Sequence, residues 1–150
     1  MRAADARVLL TGASGGIGRA MAHALQQAGA QVLGVGRGAQ GPAGLAWHRA
    51  DLNEASGPAS VAQAAADWRA NVVVHASGVP GFGALHAVSP QQMEQVLQAN
   101  LLAPMRLTQA LLPQLLRLPR AQVVFVGSAL GRIGLPGFSV YGASKAGLHG

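Results

Sequence analysis

A short apolar run, Val8–Leu10, leads straight into Thr11-Gly12-Ala13-Ser14-Gly15-Gly16-Ile17-Gly18, and no other stretch limits the fold as much. A buried strand that feeds a glycine-rich turn and then a helix gathers free backbone N–H groups and the positive end of the helix dipole at one point. Such a point suits a phosphate. Gly12 is expected to permit the tight turn, Gly16 to let backbone approach a pyrophosphate, and Gly18 to let the helix lie close against the sheet. The spacing is T-G-x-x-x-G-x-G, where G-x-G-x-x-G is commoner, and Gly15 adds a further flexible position. Ile17, Met21, Leu25 and Ala28 recur at helical spacing and predict an amphipathic helix after the turn.

With 150 residues, half of them hydrophobic, the chain can bury the core of one domain, 1–150. It has no cysteine, which excludes disulfides and thiolate metal sites. The five histidines contain no i,i+4 pair, so no zinc site is expected. Met1–Arg7 is too polar for a secretory signal, no long apolar segment follows, and a cytoplasmic location without membrane contact is the expectation. The formal charge of +6 invites a nucleic-acid reading, but the arginines are scattered from Arg2 to Arg132 without runs or interleaved aromatics. No nucleic-acid partner is therefore expected. A phosphate-rich small ligand accounts for the positive charge equally well.

Gly29 is a natural stop for the first helix, and Gln31–Gly36 reads as a second buried strand. In dinucleotide folds an acid near this point accepts the adenosine ribose hydroxyls, whereas an arginine favours a 2′-phosphate. Gly36 stands where the acid would be and Arg37 comes next, so NADP is expected over NAD. Residues 38–44 read as a loop, and 45–50 as a short third strand ending at Asp51-Leu52. Val61, Ala64, Ala65 and Trp68 mark one face of a helix after Pro58, with Trp68 in the core. Val72–Val74 is a buried strand running into His75-Ala76-Ser77-Gly78, a small-residue turn open to a flat ligand, with His75 expected to hydrogen-bond a neighbouring loop.

Ser89-Pro90-Gln91-Gln92 carries an N-cap serine, a proline at the first helical position and a glutamine three residues after the cap. Met93, Val96, Leu97, Leu101 and Met105 predict the apolar stripe of that helix. Pro104 has no N–H for the Asn100 carbonyl, so a kink is expected there with that carbonyl able to hold a water. Pro119 ends the helical region, and Val123–Gly127 reads as a fifth strand with Ser128 at the ligand-binding C-terminal end. Beyond a glycine-rich loop, Tyr141 and Lys145 fall one helical turn apart, on one face. A nearby cation stabilises phenolate, which suits the pair to tyrosine acid–base chemistry.

In this order, the Thr11–Gly18 turn, Asp51, the His75–Gly78 turn, Asn100, Ser128 and Tyr141-x-x-x-Lys145 resemble the short-chain dehydrogenase/reductase family of the classical type. The resemblance covers almost the whole chain. It implies an α/β, Rossmann-type doubly wound parallel sheet of order 3-2-1-4-5, with helices on both faces. It implies hydride transfer between NADP(H) and a small carbonyl or alcohol substrate. Catalysis would rest on Tyr141 as acid/base, Ser128 on the substrate oxygen, Lys145 on the nicotinamide ribose, and Asn100 on a relay water. The cofactor would be held by Thr11, Gly12, Ser14, Gly15, Gly16, Ile17, Gly18, Arg37, Asp51, Leu52, Ala76, Ser77 and Gly78, together with Asn100, Tyr141 and Lys145.

Two departures from the family pattern carry expectations of their own. His75-Ala76-Ser77-Gly78 stands where the family has Asn-Asn-Ala-Gly, so His75 must brace the central strand in place of the lost asparagine. Family chains also continue past the Tyr-x-x-x-Lys helix, within which this sequence stops. It therefore reads as the N-terminal part of a longer, homo-oligomeric enzyme, its fifth strand left as an exposed edge. The alternative is a catalytically inactive nucleotide-binding or interaction module.

Overall fold

A computed structural model describes residues 1–149; Gly150, the last residue of the expected domain, lies outside them. The strands are β1 (Arg7–Thr11), β2 (Gln31–Gly36), β3 (Ala46–Arg49), β4 (Val72–His75) and β5 (Gln122–Phe125). They form one parallel sheet of order β3-β2-β1-β4-β5. The order reverses between β2 and β4, on either side of β1. In open α/β sheets the crevice outside the strand ends at such a switch point is where ligands bind. Registry puts Thr11 of β1 opposite Val35 of β2 and His75 of β4, so the three strands end level at that crevice.

Side chains alternate across each strand and divide the core in two. Leu9, Val35 and Val73 face α2 (Gly57–Asp67) and α4 (Ala103–Leu115), meeting Val61, Ala65, Leu107 and Leu111. Val8, Leu10, Val32 and Val74 face the other way, towards Ala13 and α1 (Gly16–Gln27). Strands covered on both faces read as continuous apolar runs, which is why β1, β2 and β4 stand out in the sequence. Trp68 packs against the α2 side of the core, as expected. At the far edge Val124 and Phe125 of β5 are exposed.

Two stripes differ from the sequence pattern. Ile17 is 64% exposed, and the buried residues of α1 are Gly18 and Ala22, because the close seating of Gly18 on the Gly12 carbonyl turns that side of the first turn inward. Met105 is 53% exposed, for a different reason. Between α3 (Pro90–Leu97) and α4 the chain makes a π turn, Gln98–Leu102, closed by the Ala103 N–H on the Gln98 carbonyl. This is the form the kink at Pro104 takes. The extra residue rotates α4 about its axis, so the inward face becomes Ala103, Pro104, Leu107, Leu111 and Leu115. At the start of α3, Ser89 Oγ accepts from the Gln92 N–H at 3.2 Å and Gln92 Oε1 accepts from the Ser89 N–H at 3.0 Å, completing the capping box.

Candidate active site

The glycine crook closes on backbone contacts. Gly12 sits at φ +69°, donates to the Val35 carbonyl at 3.1 Å and accepts from the Gly15 N–H at 3.0 Å. A Cβ on Gly12 would lie 2.7 Å from the Ser77 backbone, so the turn after β1 and the turn after β4 touch only because this residue has no side chain. Thr11 and Ser77 tie the two turns further: Thr11 Oγ1 donates to Ser77 Oγ at 3.1 Å and accepts from the Ser77 N–H at 3.3 Å. Gly18 does a different job from the one expected. A Cβ there would collide with the Gly12 carbonyl, so this glycine seats the helix on its own turn, not on the sheet. Around Gly16 no atom other than its chain neighbours and its own helix backbone lies within 4 Å of where a Cβ would stand, so no packing contact requires glycine there.

A cleft of about 290 Å³ opens beside the crook. Thr11, Gly12, Ser14 and Gly15 line it from the first turn, and the exposed Arg37 from the end of β2. Asp51 and Leu52 enter after β3, where Asp51 Oδ1 accepts from the Asn53 N–H at 3.0 Å. Ala76, Ser77 and Gly78 close the fourth side. Gly16, Ile17 and Gly18 lie in the first turn of α1, outside this lining. Val35, Gly36, Ala50 and Asn53 near the strand ends complete the wall with Val79, Ala99 and Ala103, and sequence reasoning named none of them as cofactor-binding; the most distant are Ala99 and Ala103. The signal available for the last two was the pair of small residues flanking Asn100 around the π turn.

Beyond Gly78 the cleft meets α5 (Ser139–Ala146), and Asn100 joins them. Its side chain is 1% exposed; Oδ1 accepts from the Val79 N–H at 2.7 Å while Nδ2 donates to the Val79 carbonyl at 3.0 Å and to Ser144 Oγ at 3.1 Å. Ser144 Oγ in turn donates to the Tyr141 carbonyl at 2.7 Å. Ser144 was not anticipated; its position directly before Lys145 on the inward face of α5 was the only sign. Lys145 is 6% exposed and donates from Nζ to the Val126 carbonyl at 2.9 Å. Burial holds its ammonium below the usual 10.5. A Cβ on Gly78 would come within 3.1 Å of Asn100 Oδ1 and 3.7 Å of Lys145 Nζ, so this glycine brings the cleft against both groups. Nζ also stands 5.9 Å from the Tyr141 ring centroid, on the shared helix face expected from the spacing.

Ser128 caps the short 3₁₀ turn Ala129–Gly131, accepting from the Leu130 N–H at 3.2 Å, and that turn lies against Gly142 of α5. Its own O–H is not spent on this contact. His75 lies outside the cleft lining. It is 3% exposed, its Nε2 is 2.9 Å from Thr108 Oγ1 on α4, and its ring stacks on Phe125 of β5 at 4.7 Å. The expected neighbouring loop is therefore a helix, and His75 braces β4 against α4 and β5 together. Burial pushes its pKa down to about 4, so the ring is neutral at pH 7, with Nδ1 buried and without a partner. Among the described residues no three metal-binding side chains converge, and no helix is long and apolar enough to cross a membrane.

Sheet order, crook and cleft define a dinucleotide-binding α/β fold of the doubly wound kind. The chain belongs to the short-chain dehydrogenase family, whose model matches residues 6–150. It is 31% identical to dehydrogenase/reductase SDR family member 7B from Bos taurus, over 94% of this chain and 49% of that protein. It is 28% identical to the 3-oxoacyl-[acyl-carrier-protein] reductase FabG of Escherichia coli K12, over 95% of this chain and 62% of that protein. A short-chain dehydrogenase from Shigella flexneri 2A, solved in complex with NADP, superposes with a TM-score of 0.85 at 32% identity, covering 96% of this chain and 67% of that one. The chain thus spans about half to three-fifths of the curated relatives it matches.

Proposed function

We propose that the chain supplies the cofactor cleft and the proton-transfer group of an NADP(H)-dependent oxidoreductase that interconverts a small carbonyl compound and its alcohol. The observation that carries this is the buried chain of hydrogen bonds from Val79 through Asn100 and Ser144 to Tyr141, which fixes the helix of the tyrosine to the wall of the cleft. The residues fit the cofactor. Gly12, bare of a side chain, lets the turns after β1 and β4 close on each other as two walls of one cleft, and Gly16 is a glycine with no need of being one unless something outside the chain comes close. When bound, the nicotinamide gives or takes the hydride.

The chain does the rest. The first turn of α1 offers N–H groups and dipole to the pyrophosphate, and Arg37 pairs with the 2′-phosphate. Asp51 and Leu52 would flank the adenine, while the backbone near Ala76 and Gly78 would border the cofactor ribose. Lys145, with one N–H spent on Val126, gives its remaining hydrogens to ribose hydroxyls and places positive charge beside the phenol. Ser128 donates its O–H to the substrate oxygen, and Tyr141 gives that oxygen its proton or takes it away. Both Asn100 side-chain N–H groups are engaged, so the relay water belongs on its backbone carbonyl, four residues before Pro104.

Assembly into a homo-oligomer belongs to the same reading, through the exposed Leu102, Met105, Leu112 and Leu116 around α4. So does a cytoplasmic setting. The test is NADPH titration alongside an NADPH-oxidation assay over a set of small aldehydes and ketones, on one sample. Binding with turnover is expected. Binding without turnover favours a module that only holds the nucleotide. Absence of binding overturns both.

A further inference from the structure

The loop that carries Arg37 is held by one side chain that the proposed chemistry does not use. Trp47, on β3, lays its indole across β2 where Gly34 and Gly36 leave the surface bare. A Cβ on Gly34 would meet Leu45 Cδ2 at 2.6 Å and Ala13 Cβ at 2.9 Å as well as Cε3 of the ring at 3.1 Å, and one on Gly36 would stand only 2.7 Å from Cη2 and 3.0 Å from Cζ2. From the loop side Gly41 closes over the same ring, so near that its own Cβ would collide with it. The indole Nε1 donates to the Gly38 carbonyl at 3.0 Å. Three glycines and one carbonyl are thus fitted to a single side chain, and the segment they pin begins at Arg37.

The tip of the ring matters most. The space that a side chain at position 36 would enter is bounded by the outer edge of Trp47 and by Ser14 Oγ, 3.5 Å from that Cβ position. Gly36 and Ser14 both line the cleft. Position 36, at the end of the second strand, is where a dinucleotide fold places the carboxylate that accepts the ribose 2′- and 3′-hydroxyls. Here the indole already fills the start of that path.

We propose that Trp47 is a specificity-determining residue of the cleft: its indole edge excludes a ribose-binding carboxylate at position 36, and its bond to Gly38 holds the Arg37 loop in place for a 2′-phosphate. The inference rests on the reading of the cleft as a dinucleotide site. It makes the preference a matter of packing as well as of charge. Introducing an acid at the strand end is then insufficient to convert the site, because the ring must go first.

The experiment measures NADPH and NADH affinity by calorimetry, and thermal melting, for the wild type, Gly36→Asp, Trp47→Leu, the pair of changes, and Trp47→Phe. Gly36→Asp alone should lose NADPH affinity and gain none for NADH. The pair should bind NADH about tenfold tighter than the wild type, the effect of a hydrogen bond to a charged group. Gly36→Asp should also lower the melting temperature more beside Trp47 than beside leucine. Trp47→Phe keeps a ring on Gly34 but lacks the donor and the reach, and should weaken NADPH about fivefold while leaving NADH unchanged, as expected for one lost neutral hydrogen bond. A merely structural tryptophan would move both affinities together.

The proposal is overturned if Gly36→Asp alone gains NADH affinity as the pair does, or if Trp47→Phe weakens the two cofactors equally. If the wild type shows no preference for NADPH, the NADP reading fails instead. The difference in melting temperatures then still decides whether the ring and a side chain at position 36 compete for one space.

Discussion

Lowering the pH from 7 to 5 should cost this fold stability through one side chain. His75 is buried at the end of β4 with its pKa pushed from the usual 6.5 down to about 4, by burial alone. The folded chain keeps the ring neutral over the range in which the unfolded chain takes up a proton. Stability from this residue is therefore fully present above pH 6.5 and is lost as the pH falls towards 4, where the loss levels off. The gap between those values, at about 1.36 kcal/mol per pH unit, sets a ceiling of about 3 kcal/mol. The part lost between pH 7 and pH 5 is about 2 kcal/mol, roughly an eighth to two fifths of the whole stability of an ordinary domain. Urea unfolding at the two pH values measures it, in the wild type and in His75→Asn. The variant should be less stable at pH 7, having lost the stack on Phe125, but its stability should change less with pH by that same ~2 kcal/mol. An equal pH dependence in both proteins would show that His75 is not the buried neutral base described here.

Three substitutions in the cleft have separable effects. Arg37→Ala should weaken NADPH binding about tenfold and leave NADH untouched in calorimetry, since only the 2′-phosphate loses a charged partner. Asn100→Ala removes three buried hydrogen bonds at once and should destabilise the fold by about 3 kcal/mol in urea, with early hydrogen exchange at the Val79 amide. Gly12→Ala sets a Cβ at φ +69° and 2.7 Å from the Ser77 backbone; it should cost about 2 kcal/mol or more and abolish NADPH binding, because the two turns must separate.

Features governed by local chemistry were legible in the sequence. The box at Ser89, the end of β2 at Gly36 and the Tyr141–Lys145 face each depend on neighbours a few residues away, and each stands where the pattern puts it; of the glycine crook, the local part is the Gly15 N–H on the Gly12 carbonyl. Ile17 and Met105 were misread because an apolar residue at helical spacing shows a stripe but not its phase, which the seating of Gly18 on the crook sets for α1 and a π turn shifts for α4. Pro104 announced the kink and not its form. The bond of Ser144 to Asn100, the contact of His75 with Thr108 and the fit of Trp47 to Gly34, Gly36 and Gly41 join parts of the chain far apart in sequence. Gly34 and Gly36 read as residues of the second strand and Gly41 as a loop glycine; only the folded sheet shows that they share one ring.

Catalysis as proposed stands on Tyr141 acting at the mouth of the dinucleotide cleft, and replacing that residue tests it most directly. In Tyr141→Phe, NADPH affinity should stay within about twofold of the wild type while carbonyl reduction falls about a thousandfold, the usual share of a general acid. Turnover that survives the loss of the hydroxyl, at unchanged NADPH affinity, would contradict it.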